Sequence, residues 1–247
     1  MSADRPRRRR NASLAARAVE AVIRRDLRST FRRVVWAARE PVELPDGPVV
    51  LYANHHYIHD TYLLWLLAVR TLGRPALVWM EEWGRVPIFA PLGALPFPAD
   101  EPAARSRTIR ETVRRMRAER DTVLFLYPEG RMGPPDAGLA PLRADMSRLA
   151  RVLPEETTWV PAGIHVTWWG EGRPTAVTAF GAPHAEPDGA EADRLETVMA
   201  SLRFVRPADT IDGSCRVLLE GRRGLDERAD LRALVPLFRR FQAWGDR

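Results

Sequence analysis

Seven consecutive residues, Asn54-His55-His56-Tyr57-Ile58-His59-Asp60, bring three imidazoles and one carboxylate together. An apolar run from Val49 to Ala53 ends in them, and a second, Tyr62 to Val69, follows at once. This is the pattern of a strand emptying its polar groups into a loop at the mouth of a helix, where α/β folds bind ligands. Four residues separate His55 from Asp60. A loop of that length can fold back and set the carboxylate against one imidazole nitrogen, leaving the other as a base. Histidine takes and returns protons near neutral pH, and a neighbouring carboxylate fixes its tautomer and stabilises the imidazolium. No serine stands near the pair, so the nucleophile would be a hydroxyl of the substrate. Two plainer roles compete: Asp60 is a good N-cap for the following helix, and loop histidines are commonly just solvated.

A second polar knot follows another apolar run. Thr122 to Tyr127 reads as a strand, and it ends in Pro128-Glu129-Gly130-Arg131. Glycine lets backbone N–H groups approach a ligand, and arginine offers a forked partner for phosphate or carboxylate. Pro-Glu-Gly is also simply a turn.

The elements that must position these knots read as an α/β chain. Residues 1–11 form a basic arm with Arg7 to Arg10 in a block, and a basic amphipathic helix is expected from Ser13 to about Trp36. Its apolar stripe is read as Leu14, Ala18, Ala21, Val22, Leu27, Phe31 and Val34-Val35, against Arg17, Arg24, Arg25, Arg28 and Arg32. Such a helix suits an anionic bilayer surface; packing on the domain and nucleic-acid binding are the alternatives, the last without aromatic-basic interleaving to support it. After a Pro-rich linker, Pro41 to Pro48, come a strand at Val49–Ala53, a helix from Thr61 to about Thr71 and a strand at Ala76–Met80. Trp83 to Phe97 is an apolar wall or lid broken by Pro and Gly. A charged helix over 101–120 buries Ile109, Val113 and Met116. Further elements are a helix at Arg143–Val152, strands at Thr158–Val166 and Thr175–Phe180, and tail helices at Ala192–Phe204 and Glu227–Trp244. The expected division is residues 1–40, arm and helix, and 41–247, one α/β domain with a mixed, largely parallel sheet and a helical tail.

Composition narrows the classes. The 247 residues carry a formal charge of +6, and all 38 Lys+Arg positions are arginine, which with the abundant Ala, Pro and Gly reflects a GC-rich codon bias; the placement of charge therefore says more than its amount. The single cysteine, Cys215, excludes an internal disulfide framework and fits a reducing compartment. No run of eighteen apolar residues reads as a membrane span, and the basic amino terminus lacks the apolar core of a secretory signal.

Four segments in order resemble the glycerolipid (1-acylglycerol-3-phosphate or lysophospholipid) acyltransferase family. Asn54, His55 and Asp60 match its Asn-His-x4-Asp; Tyr127-Pro128-Glu129-Gly130 match its Phe-Pro-Glu-Gly; Val160-Pro161 match its late Val-Pro; and Pro87 to Phe97 loosely match its Pro-rich second block. The resemblance covers about residues 45–183. It implies transfer of a fatty acyl chain from an acyl-CoA or acyl-ACP thioester to a lipid hydroxyl, with His55 as base and Asp60 orienting it, and with no metal or other cofactor. It further implies substrate contacts from Asn54, Glu129 and Gly130, with Arg131 and Arg105 as anion partners, on a cytoplasmic protein held peripherally at the inner face of the cell membrane.

Two departures bear on the acceptor. The family's Glu-Gly-Thr-Arg reads Glu129-Gly130-Arg131-Met132 here, and its phosphate-gripping second-block arginine is replaced by Pro98-Ala99-Asp100, with Arg105 and Arg107 nearest. The acceptor is therefore either 1-acylglycerol-3-phosphate or a phosphate-free lipid alcohol such as a glycolipid. A metal-dependent hydrolase is a different reading, since a helix through the segment would set His55 and His59 on one face. So is a non-enzymatic membrane-surface or nucleic-acid binding protein on the same scaffold.

Overall fold

The computed structural model describes residues 13–143, 145–224 and 227. The amino-terminal basic arm and all but the first residue of the expected Glu227–Trp244 helix lie outside them.

The first helix, α1 (Leu14–Thr30), starts where the Ser13 side chain accepts the Ala16 N–H at 3.1 Å. It buries Ala16, Val19, Ile23 and Leu27, spaced three and four apart. The stripe expected from sequence is corrected here: Leu14 and Val22 are 82% and 54% exposed. The expected end at Trp36 is corrected as well, because Arg33–Trp36 is strand β1, its two valines favouring extended backbone.

Strand β2 (Val49–Ala53) leads into α2 (Asp60–Trp65), which widens into a π-helical turn over Leu66–Thr71. Strand β3 (Ala76–Met80) follows. The wall after it forms two 3-10 turns, Trp83–Arg85 and Pro87–Leu92, and a short β4 (Ala94–Pro96). Helix α3 (Pro102–Ala118) buries Ala104, Thr108, Thr112 and Met116; Ile109 and Val113 are only half-buried, which shifts the expected buried line. The two threonines can occupy it because Thr108 donates to Pro96 O, while Thr112 accepts from Trp79 Nε1 at 3.0 Å and donates to Thr108 O at 2.9 Å. Then come β5 (Val123–Leu126), a short α4 (Met146–Ala150), β6 (Thr158–Thr167), β7 (Thr175–Phe180), α5 (Glu191–Leu202), α6 (Pro207–Ile211) and β8 (Arg216–Glu220).

One eight-stranded sheet runs in the order β4-β3-β5-β2-β6-β7-β1-β8. The β4, β3, β5, β2 and β6 strands are mutually parallel, β6 and β7 antiparallel, β7 and β1 parallel, and β1 and β8 antiparallel. This is a mixed, largely parallel α/β sheet flanked by helices. Side chains of β2 alternate between two cores. Val49, Leu51 and Ala53 join the layer of α1 and α2, and Val50 and Tyr52 join that of α3, α4 and α5. Burial on both faces explains why the run is apolar throughout. With α2 on one face and α4 on the other, the loops leaving the adjacent strands β2 and β5 meet at the carboxyl edge of the sheet, the edge at which α/β sheets bind ligands.

Candidate functional site

The chain leaves β2 at Asn54, whose fully buried side chain continues the ladder where the backbone turns away. Its Oδ1 accepts from Ile164 N and its Nδ2 donates to Ile164 O, both at 2.9 Å. Nδ2 also faces His56 Nδ1 at 3.3 Å, so the His56 Nε2 N–H donates to Gly138 O at 3.2 Å. Both side chains thereby hold the loop on its neighbours, and Asn54 has no face left open to solvent.

His55 and Asp60 come together as the spacing predicts. His55 Nδ1 lies 3.1 Å from Asp60 Oδ2, and that same oxygen accepts the backbone N–H groups of His56 at 2.7 Å and Tyr57 at 2.9 Å. Asp60 is sealed from solvent, whereas the His55 side chain keeps 22% of its surface. The competing N-cap role is not what the carboxylate does: the cap position is His59, without a side-chain bond, and Asp60 closes the turn before the helix. With the Nδ1 proton held by a carboxylate, Nε2 keeps its lone pair and has no partner among the described residues.

The second knot supports the first. Glu129 is fully buried, and its two oxygens accept the backbone N–H of His55 at 2.7 Å and of Ala140 at 2.8 Å. It therefore ties three segments into one floor. Gly130 turns with φ +66°, and its N–H donates to Tyr127 O at 3.0 Å. The loop returns so that Gly133 N donates to His55 O at 2.9 Å. Arg131 is exposed on this loop, with no side-chain partner among the described residues. Arg105 is placed elsewhere, its guanidinium 4.6 Å above the Phe97 ring, which stacks on Trp79 at the ends of β3 and β4.

Three contacts at the site were not anticipated. Tyr127 stacks on His55, centroids 4.2 Å apart, and its hydroxyl pairs with Thr61 Oγ1 at 2.9 Å. Burial first, then the nearby Asp60 charge, push that phenol well above its ordinary pKa, so it stays neutral. The segment at Gly138 and Ala140 closes on the site through the bonds given above. His59 turns to α1, with Nε2 3.1 Å from Asp26 Oδ2 and 3.3 Å from Thr30 Oγ1. The only signal for the first was an aromatic residue ending a strand; the pairing of β2 with β5 that makes it a neighbour of His55 is not written locally.

The shared face that a His55/His59 metal pair would need does not form, because the helix begins at Asp60 and the two rings engage different carboxylates. Among the described residues, no group of three or more His, Cys, Asp or Glu side chains is arranged to hold a metal ion. Cys215 is buried, and burial followed by Asp209 and Asp212 raises its thiol pKa, the opposite of an activated nucleophile. In comparison with known proteins, no family model matches the chain and no curated protein matches it.

Proposed function

We propose that this protein is an O-acyltransferase that moves a fatty acyl group from an acyl-CoA or acyl-ACP thioester to a hydroxyl of a lipid acceptor. The observation that carries the reading is the His55–Asp60 pair, 3.1 Å apart, with the carboxylate sealed and the imidazole reachable. His55 Nε2 removes the proton of the acceptor hydroxyl as its oxygen attacks the thioester carbonyl. Asp60 stabilises the imidazolium, and the tetrahedral oxyanion collapses with loss of the thiolate, which takes the proton back from His55. Glu129 supports the base by fixing the backbone that carries it. Backbone N–H donors would stabilise the oxyanion, and the acyl thioester is a co-substrate.

The acceptor is 1-acylglycerol-3-phosphate or a phosphate-free lipid alcohol. Exposed Arg131 beside the site favours a phosphate, whereas Asp100 in place of the second-block arginine and the turn of Arg105 onto Phe97 favour the uncharged acceptor. Helix α1, with arginines that have no partner among the described residues and an exposed apolar line, supports docking on an anionic bilayer, and the proposed location is cytoplasmic, at the inner membrane face. No helix among the described residues is long and apolar enough to cross a membrane.

The deciding experiment is transfer from a labelled thioester into a total lipid extract, with products identified by mass. Wild type should yield a new ester and His55→Ala none, a loss of at least about a hundredfold. Equal product from both proteins, or none from folded wild type with either donor, would sink the reading.

A further inference from the structure

Between α1 and the chain leaving β8 lies a cavity of about 460 Å³ whose lining includes Arg24, Arg25, Arg28 and Arg222. None of these four guanidinium groups has a partner among the described residues. The one carboxylate in the lining, Glu220, faces Arg32 at 4.0 Å. The backbone here is closely fitted. A Cβ on Gly221 would stand 1.7 Å from Phe31 O and 2.9 Å from Arg28 O, so only glycine permits the approach. Gly221 N then donates to Arg32 O at 2.9 Å and Arg222 N to Arg28 O at 2.8 Å, fixing Arg222 against the last turn of α1.

A helix carboxyl end favours a nearby cation, which accounts for Arg28 but not for four cations around one cavity. Gathered like charges repel unless an anion is shared among them, and guanidinium forks match phosphate oxygens in pairs. A second feature lies on the same helix: Leu14, Ala18 and Val22, four apart, form an outward line beside the arginines, with Leu14 82% and Val22 54% exposed. Apolar residues beside arginines on an outer face are how an interfacial helix enters the headgroup layer.

We infer that this cavity is a phosphate-ester site, occupied by the headgroup of an anionic phospholipid while Leu14, Ala18 and Val22 enter the acyl boundary. The inference rests on the membrane-surface reading of α1 and is independent of acyl transfer. It is tested on the full chain by sedimentation with phosphatidylcholine vesicles, with and without phosphatidylglycerol, and by calorimetry with inorganic pyrophosphate. The variant Arg24→Gln/Arg28→Gln/Arg222→Gln is compared with a control of equal charge change, Arg110→Gln/Arg117→Gln/Arg120→Gln, two exposed arginines of α3 and one in the exposed turn that follows it. Three arginines at about 1 kcal/mol each predict roughly hundredfold weaker binding to phosphatidylglycerol vesicles for the cavity variant. The control should stay within about threefold, and the single charge reversal Arg25→Glu, a change of two charges, should weaken binding about thirtyfold. Pyrophosphate binding lost in the cavity variant, without vesicle binding by wild type, would keep the phosphate site and overturn the lipid source. Vesicle binding that the cavity variant and the control share equally would overturn the cavity and leave membrane docking standing. Wild type binding neither probe would overturn both.

Discussion

At Asp60 the two carboxylate oxygens are unequally used. Oδ2 takes the His55 ring and two backbone N–H groups, while buried Oδ1 has no partner among the described residues. An asparagine can set its oxygen at the first position and its amide at the second. Asp60→Asn should therefore fold with a melting temperature near that of wild type, yet lose the charge that stabilises the imidazolium. The expected fall in kcat for acyl transfer is about 10²–10⁴-fold, and equal kcat would remove Asp60 from the mechanism. Glu129 differs because both oxygens accept backbone N–H groups. Glu129→Gln turns an amide donor against one of them, so thermal unfolding should show a loss of about 1–3 kcal/mol together with reduced turnover. Reduced turnover at full stability would instead point to direct contact between Glu129 and substrate.

Polar contacts join helix α1 to the His55 loop through the His59 side chain. His59 stands at the N-cap position of α2 and turns its ring away to Asp26 at 3.1 Å and Thr30 at 3.3 Å, where it meets Phe31 edge-on. Asp26→Ala should leave the fold intact, since the aspartate is 44% exposed, and cost only about 0.2–1 kcal/mol. The measurable change should be in kcat, lowered severalfold as the loop loosens; an unchanged kcat would show that α1 does not set the loop. At the opposite edge of the sheet, Arg74 joins the Pro-rich linker to β5. Its guanidinium donates to Pro45 O at 2.6 Å, to Gly47 O and to Asp121 O at 2.8 Å, despite burial that lowers its pKa. Arg74→Ala strands these carbonyls and should cost about 2–3 kcal/mol in denaturant unfolding.

Over the whole molecule, pH acts on stability through His165 on β6. Burial chiefly, then the charges of Arg203 and His56, hold its pKa below the ordinary 6.5. From about 6.5 down to the folded value, the unfolded chain binds more protons than the folded one. Stability should therefore be full above about pH 6.5 and fall as pH drops below it. Melting temperatures of wild type and His165→Gln, compared at about pH 7.5 and pH 5.5, should show the smaller acid loss in the variant. An identical loss would assign the acid sensitivity to other groups.

Local signals were enough for much of this protein. The apolar runs located β2, β5, β6 and β7, because strand burial on both faces is written as continuous hydrophobicity, and the polar knots after two of them marked the loops that leave β2 and β5. The spacing of His55 and Asp60 was enough to foresee their contact, since a loop with four residues between its ends can fold back by its own geometry. Tertiary structure alone decided the rest. Arg33–Trp36 joined the sheet because β7 and β8 were there to pair with it, and Val34-Val35 fits a helix stripe equally well until those partners exist. The buried face of α1 rotated away from Leu14 and Val22 because what it packs against, not its hydrophobicity alone, selects the face. Asn54 and Glu129 were legible as polar residues near His55; only the meeting of β2 with β6 and β5 turned them into the supports of the loop that carries it. Contacts of that kind join residues 74 and 110 positions apart, and no local pattern encodes such a distance.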